Sequence, residues 1–151
     1  VISKDRNDWN SLAYTALSFG ELKKYSEAID MWKMGIKEFP DEKWFIGYCY
    51  YNASLDANNL GLKTDADEYA KKLTDLDIEE AADGYQLQGV YLTENGYYED
   101  AITILEEHLA NFTGFRKKQA LRDLIACYDK LDDKEKKEEY EKRLNELKEK
   151  D

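Results

Sequence analysis

The chain has 151 residues, with 33 acidic and 22 basic side chains, and its formal net charge is −11. Nucleic-acid interfaces need a basic stripe that replaces phosphate counterions, so this charge argues against nucleic acid and anionic membranes as partners. It favours, weakly, a basic or apolar partner over an acidic one. No stretch approaches the roughly 20 apolar residues of a membrane span, so we expect no membrane insertion of this segment.

The first predicted element is a helix pair in residues 9–42. Large and small apolar residues recur there at helical spacing, with small residues where two helices must approach closely. Predicted boundary residues are Asp8 and Asp41 as N-caps, Gly20 in a tight turn and Pro40 after a finished helix. The pattern consists of Leu12, Ala16, Phe19, Tyr25, Ala28, Trp32, Gly35 and Pro40.

A weaker helix pair is predicted in residues 43–81. Its first helix carries Ile46, Tyr50 and Ala53, and its second helix, with Thr64 as N-cap, carries Ala66, Ala70 and Leu73. The segment Asp56 to Lys63 between them is interpreted as a loop longer than in the first pair. Tyr50 then occupies a position that favours a small residue, and Ala70 opposite is expected to compensate for its volume.

Two further pairs are predicted in residues 82–117 and 118–151. The third pair repeats the pattern of the first, including the turn before an aromatic-x-x-Ala sequence that opens a helix. Its pattern residues are Tyr85, Gly89, Leu92, Gly96, Tyr98, Ala101, Leu105 and His108. Those of the fourth pair are Leu121, Leu124, Ile125, Tyr128, Tyr140, Leu144 and Leu147.

This succession of pairs resembles the tetratricopeptide repeat, in which two antiparallel helices recur about every 34 residues. The resemblance covers nearly the whole chain. It implies an all-α fold, a right-handed superhelical solenoid of antiparallel helix pairs, with about four repeats forming one domain over residues 1–151. It also implies a concave groove lined by the first helix of each repeat, in which family members bind peptides.

Carried over by register, the groove positions predict a peptide-binding site. In the second repeat these positions make the first helix apolar nearly all round, so we expect its aromatic stripe of Trp44, Tyr48 and Tyr51 to be covered. The cover is either a partner or the neighbouring repeats together with the 56–63 loop. The predicted site residues are Ala13, Leu17, Trp44, Tyr48, Tyr51, Leu55, Gln86, Leu87, Val90 and Arg122, and the groove face of the fourth repeat also includes Ala126.

The best-known ligand site of the family, a carboxylate clamp for chaperone C-termini, is not expected here. That clamp needs Lys and Asn at positions held by Ala13, Leu17 and Tyr48, and a basic residue where Leu87 stands. The predicted partner is therefore a protein or peptide with apolar or aromatic anchor residues.

Catalysis, cofactors and metals are not expected. The only histidine, His108, lies inside the second helix of a repeat, so it is interpreted as structural. Cys49 and Cys127 are interpreted as small buried hydrophobic residues, since they fall in non-adjacent repeats and a disulfide between them is excluded by geometry. The acidic run from Asp75 to Asp83 lacks the glycine and the final glutamate of a calcium loop.

The sequence therefore favours a non-catalytic peptide-binding scaffold. The alternative is a structural or oligomerisation module whose groove is filled by the chain itself, with self-association. The chain does not begin with Met, and Arg6 lies 34 residues before Pro40, which predicts a fragment of a longer protein. A cytoplasmic location is favoured, and the bacterial cell envelope is the alternative if a signal has been removed.

Overall fold

The computed structural model describes residues 6–150, and the side chains of residues 8–148. Within them 84% of the chain is helical and no strand occurs, which confirms the predicted all-α class and the eight helices. The expectation about the start of the chain falls on residues 1–5, outside the described part. The helices are α1 (Arg6–Glu21), α2 (Tyr25–Glu38), α3 (Lys43–Asn59), α4 (Lys63–Thr74), α5 (Asp83–Glu94), α6 (Tyr98–His108), α7 (Gly114–Lys130) and α8 (Lys134–Lys150), with single 3-10 turns at Glu79–Ala82 and Leu109–Asn111.

The helices pack as consecutive pairs, and in the described chain all four pairs are closed by the same three-residue turn. The middle residue of each turn has a positive φ of 59–84°, and the next residue donates a backbone hydrogen bond to the carbonyl five positions earlier. This is a left-handed C-cap, which satisfies carbonyls at the end of the first helix. The bonds are Lys24 to Phe19, Leu62 to Ala57, Tyr97 to Leu92 and Asp133 to Tyr128, at 2.8–2.9 Å. The recurrence is consistent with a helical repeat.

The predicted N-caps Asp8, Asp41 and Thr64 are wrong, and α2, α4 and α6 begin without a side-chain cap. In α4, for example, the first backbone bond runs from Ala66 to the carbonyl of Leu62, and Thr64 lies inside the helix. Only at α8, among the second helices described, does a side chain accept a bond from the first turn, from Lys136 N to Oδ1 of Asp133 at 3.1 Å. α3 begins after Glu42 rather than Asp41, also without a side-chain hydrogen bond, and Asp8 lies within the first turn of α1.

The turn glycines were predicted with mixed success. Gly96 adopts a φ of 84° in the third turn, as predicted. Gly20 lies inside α1, and Lys23 takes the left-handed position of the first turn with a φ of 59°. Pro40 follows the end of α2, as predicted.

The predicted register of α3 is wrong by one helical turn. Counted back from the left-handed residue of each turn, Ser54 corresponds to Ala16 of the first pair and Gly89 of the third pair, which are both small. Ser54 is fully buried, and its hydroxyl donates a 2.6 Å hydrogen bond to the carbonyl of Ala66 on α4. Tyr50 thus holds a position for a large residue, and no compensation by Ala70 is needed.

The long loop predicted at 56–63 does not exist. α3 continues to Asn59, and only three residues separate it from α4. The additional length lies in residues 75–82, between α4 and α5, where Ile78 packs against α3. A Cβ atom added at Gly47 would lie 2.6 Å from Cδ1 of Ile78, so this connector is part of the packing.

The described chain divides after Gly84 into two compact units, called here the first unit (up to Gly84) and the second unit (from Tyr85). In the first unit, α2 and α3 approach closely at Gly35, where an added Cβ atom would lie 2.9 Å from the Cys49 sulfur. The centre of this unit is built from large aromatic residues that fill the space around small ones. Its core cluster contains Leu12, Ala13, Ala16, Trp32, Phe39, Phe45, Cys49 and Ala53.

The second unit is held together by packing and by polar contacts between helices. Gly89 on α5 lies against Leu105 on α6, and the hydroxyl of Thr93 lies 3.3 Å from the Cys127 sulfur on α7. The hydroxyls of Tyr128 on α7 and Tyr140 on α8 both donate to the same carboxylate oxygen of Glu106. The terminal helix is therefore anchored by the buried side chain of Tyr140, and the 3.0 Å ion pair of Lys137 with Asp129 on α7 adds a contact at the surface.

Candidate functional site

The predicted site residues of the first unit differ in accessibility. Ala13 and Tyr51 are buried at 9% exposure, Tyr48 and Leu55 are half-buried, and Leu17 and Trp44 are exposed. In the register set by the turns, Tyr51 corresponds to Ala13 and Leu55 corresponds to Leu17. These two pairs therefore occupy equivalent positions on α1 and α3.

Two residues of the aromatic stripe predicted on α3, Trp44 and Tyr48, pack against aromatic side chains of the other helices in the first unit. The Trp44 ring packs edge-on against Trp9 of α1, with centroids 4.5 Å apart. Tyr48 packs edge-on against Trp32 of α2 at 5.6 Å. The cover comes from helices α1 and α2, and the predicted 56–63 loop has no part in it.

The predicted site residues of the second unit are mostly inaccessible. Gln86 and Leu87 on α5 are each only 1% exposed, and Val90 is half-buried. Arg122 on α7 is exposed. In this conformation Gln86 and Leu87 do not present their side chains to a partner.

The first unit contains an open cleft between α1, α2 and the C-terminal half of α3, with a volume of about 300 Å³. It includes two of the predicted site residues, Leu17 and Leu55. Sequence reasoning missed its polar residues, because it assigned Asp56 and Asn59 to a loop. We call it the α1–α3 cleft, and its lining residues are Ala16, Leu17, Gly20, Glu21, Tyr25, Trp32, Asn52, Leu55, Asp56 and Asn59.

Asp56 is the central polar group of the cleft. The indole Nε1 of Trp32 donates a 2.9 Å hydrogen bond to Oδ2 of Asp56 and fixes the carboxylate. Burial raises the pKa of Asp56, and the bond from Trp32 opposes this by stabilising the charged form. The second oxygen, Oδ1, would lie 3.7 Å from a Cβ atom built at Gly20, so α1 leaves room beside it.

The side chains of His108 and Cys49 lie in structural rather than catalytic surroundings. The His108 ring stacks on Tyr85 with centroids 3.7 Å apart, and Cys49 is fully buried, which raises the pKa of its thiol to about 12. A thiol that stays protonated at neutral pH is a poor nucleophile. Among the described residues, no group of three or more His, Cys, Asp or Glu side chains could hold a metal ion.

No protein-family model matches the sequence, and no curated protein matches it. None of the described helices is long and apolar enough to cross a membrane. The functional proposal therefore rests on the residues of the α1–α3 cleft.

Proposed function

We propose that the chain is a non-catalytic scaffold of the tetratricopeptide type, and that the α1–α3 cleft binds a peptide segment of a partner protein. Leu17 and Leu55 line this cleft from equivalent positions on the first helices of two successive pairs. The proposal includes the right-handed superhelix that the resemblance implies, and a crystal structure of the whole chain tests that part.

The observation that carries the proposal is an open cleft with both apolar and polar walls. Its volume of about 300 Å³ lies at the lower end of the range for ligand pockets, which suits one or two side chains of an extended peptide. Leu17 is 36% exposed although it is a large apolar residue. Covering it with a partner would remove apolar surface from water, a favourable contribution to binding.

The test is binding of degenerate nonapeptide libraries, followed by fluorescence anisotropy on the selected sequences. The double variant Leu17→Ala and Leu55→Ala should weaken binding by about tenfold or more, since buried anchor residues supply most of the binding energy. The control is Leu22→Ala, which removes a 66% exposed leucine outside the cleft and should leave binding unchanged. Absence of any selected peptide, or equal loss in both variants, would overturn the proposal.

A second candidate is a structural or oligomerisation module. The observation in its favour is that Tyr51 is buried and Tyr48 half-buried within the chain itself, as in a self-filled groove. Trp44 remains 45% exposed and is the natural contact for a second copy. Sedimentation equilibrium separates the two functions, because the scaffold proposal expects a monomer. A dimer that dissociates in the Trp44→Ala variant would favour the module.

A further inference from the structure

We propose that the α1–α3 cleft receives a lysine or arginine side chain of the partner peptide, with its cationic end beside Asp56 and Glu21. This inference rests on the proposed function and specifies the chemistry of the partner. The occupant is therefore a basic peptide segment.

The charge of the cleft is uncompensated. None of its lining residues is basic, whereas Glu21 and Asp56 both contribute carboxylates. In the described chain, neither of them forms an ion pair. Burial of Asp56 raises the free energy of its charged form, and an approaching cation would lower that free energy. The net charge of −11 also attracts a basic segment over longer distances.

The two carboxylates and the asparagine side-chain oxygens give the cleft several hydrogen-bond acceptors. The side-chain amide nitrogen of Asn52 donates one of its N–H groups to the carbonyl of Tyr48 at 2.9 Å, and the side-chain oxygen of Asn52 is an acceptor. Trp32 Nε1 is used by Asp56, so Oδ1 of Asp56 is a further acceptor. Ammonium and guanidinium groups offer several N–H donors and no acceptor, which matches this set.

The apolar walls fit the aliphatic part of the same side chain. Lysine and arginine carry three or four methylene groups, which bury along apolar surface while the charged end stays near polar groups. Leu17 and Leu55 supply this surface in the cleft, next to the carboxylates. A leucine-like anchor would use the walls and leave the carboxylates unpaired, whereas a basic side chain uses both.

The experiment uses the whole chain and five nonapeptide libraries that differ only in a fixed central residue: Lys, Arg, Gln, Leu or Glu. Wild type should prefer the Lys and Arg libraries. Asp56→Asn keeps an acceptor for Trp32 and should weaken binding of these two libraries by about tenfold, since a charge-assisted hydrogen bond is about twice as strong as a neutral one. Glu21→Gln is the second variant. The control is Glu80→Gln, an equal charge change at an exposed carboxylate outside the cleft.

The outcomes separate this inference from the proposed function. A preference for Lys and Arg that is lost in Asp56→Asn, is reduced in Glu21→Gln, persists in Glu80→Gln and falls with added salt supports it. Peptide binding that depends on Leu17 and Leu55 but shows no preference for a cation overturns the inference alone. A preference that survives both cleft variants also overturns it. Absence of binding by every library overturns the proposed function and the inference together.

Discussion

At Gly89 the backbone of α5 lies so close to α6 that no side chain fits. An added Cβ atom would be 2.5 Å from Cγ of Leu105, which is fully buried. We expect Gly89→Ala to lower the free energy of unfolding by about 1–3 kcal/mol, the usual cost of overpacking. Urea denaturation followed by circular dichroism measures it.

Gly20 is the matched control for Gly89, because it is also a helical glycine but has space around it. The nearest atom to an added Cβ is Oδ1 of Asp56 at 3.7 Å, an ordinary contact. Gly20→Ala should raise the free energy of unfolding by up to about 1 kcal/mol through helix propensity. Destabilisation by both substitutions to the same extent would contradict the packing described at Gly89.

Asp123 is a half-buried carboxyl on α7 whose folded environment disfavours its charge. Its pKa is raised from 3.8 to about 6, chiefly by burial and also by the charge of Glu94, while the hydrogen bond from Gln119 and the charge of Arg122 oppose the shift. Its Oδ2 atom is buried and accepts no hydrogen bond from the described residues. The folded state therefore binds a proton at this site more tightly than the unfolded state does.

This carboxyl makes stability depend on pH in a defined direction. Because the folded pKa is higher than the unfolded one, the destabilising contribution is fully present above about pH 6, declines as the pH falls and vanishes below pH 3.8. At pH 7 we expect Asp123→Asn to stabilise the protein by about 2–3 kcal/mol, and near pH 3.5 to change little. Melting curves of both proteins from pH 3.5 to 7.5 test this. A constant difference across that range would contradict it.

At the scale of elements, the four closing turns differ in the residue at the left-handed position. Gly61 and Gly96 adopt this conformation freely, whereas Lys23 and Asp132 hold it with φ near 59° and a side chain that disfavours it. We expect Lys23→Gly to stabilise the protein by about 0.5–1 kcal/mol. Gly96→Ala should destabilise it by at least as much. Chemical denaturation measures both, and the same sign for the two changes would contradict the shared turn geometry.

The attachment of α8 provides a second prediction at this scale. Tyr128 and Tyr140 donate to Glu106, and their pKa values are raised by burial and by that carboxylate. Glu106→Ala leaves two hydroxyls without their acceptor, so we expect a loss of about 1–3 kcal/mol in stability. Hydrogen exchange should also become faster in α8.

The control for Glu106 is its neighbour Glu107, whose side chain is 68% exposed and lies 3.9 Å from His108. Glu107→Ala should change stability by less than about 0.5 kcal/mol. Equal exchange rates in α8 for wild type and Glu106→Ala would show that the tyrosine contacts do not anchor the helix.

At the scale of the whole molecule, the sequence predicts the helices well and one register poorly. In the first and third pairs, large and small residues alternate periodically around Ala28 and Ala101. Both alanines are fully buried, as the pattern predicts for small residues between two close helices. In the second pair the small position is Ser54, which is polar and was overlooked. Its hydroxyl is satisfied by the carbonyl of Ala66 across the helix pair, a contact that depends on two helices and leaves no signal in periodicity.

The candidate site could be predicted only in part for the same physical reason. Leu17 and Leu55 were found because groove positions follow a helical repeat. Asp56 was missed, since its role comes from a hydrogen bond to Trp32, 24 residues earlier in the chain. The cover of Trp44 by Trp9 likewise depends on how α1 lies against α3, which local sequence does not specify.

The equal turns also determine where the chain tolerates changes in length. Each closing turn has three residues, whereas the connectors between pairs have four, eight and five residues, at 39–42, 75–82 and 109–113. One residue added inside a closing turn breaks the bond to the carbonyl five positions earlier and turns the following helix by about 100°. Its apolar face would then leave the partner helix. Insertions and epitope tags thus belong between pairs, and residues 40–41, exposed and outside both helices, are a suitable position.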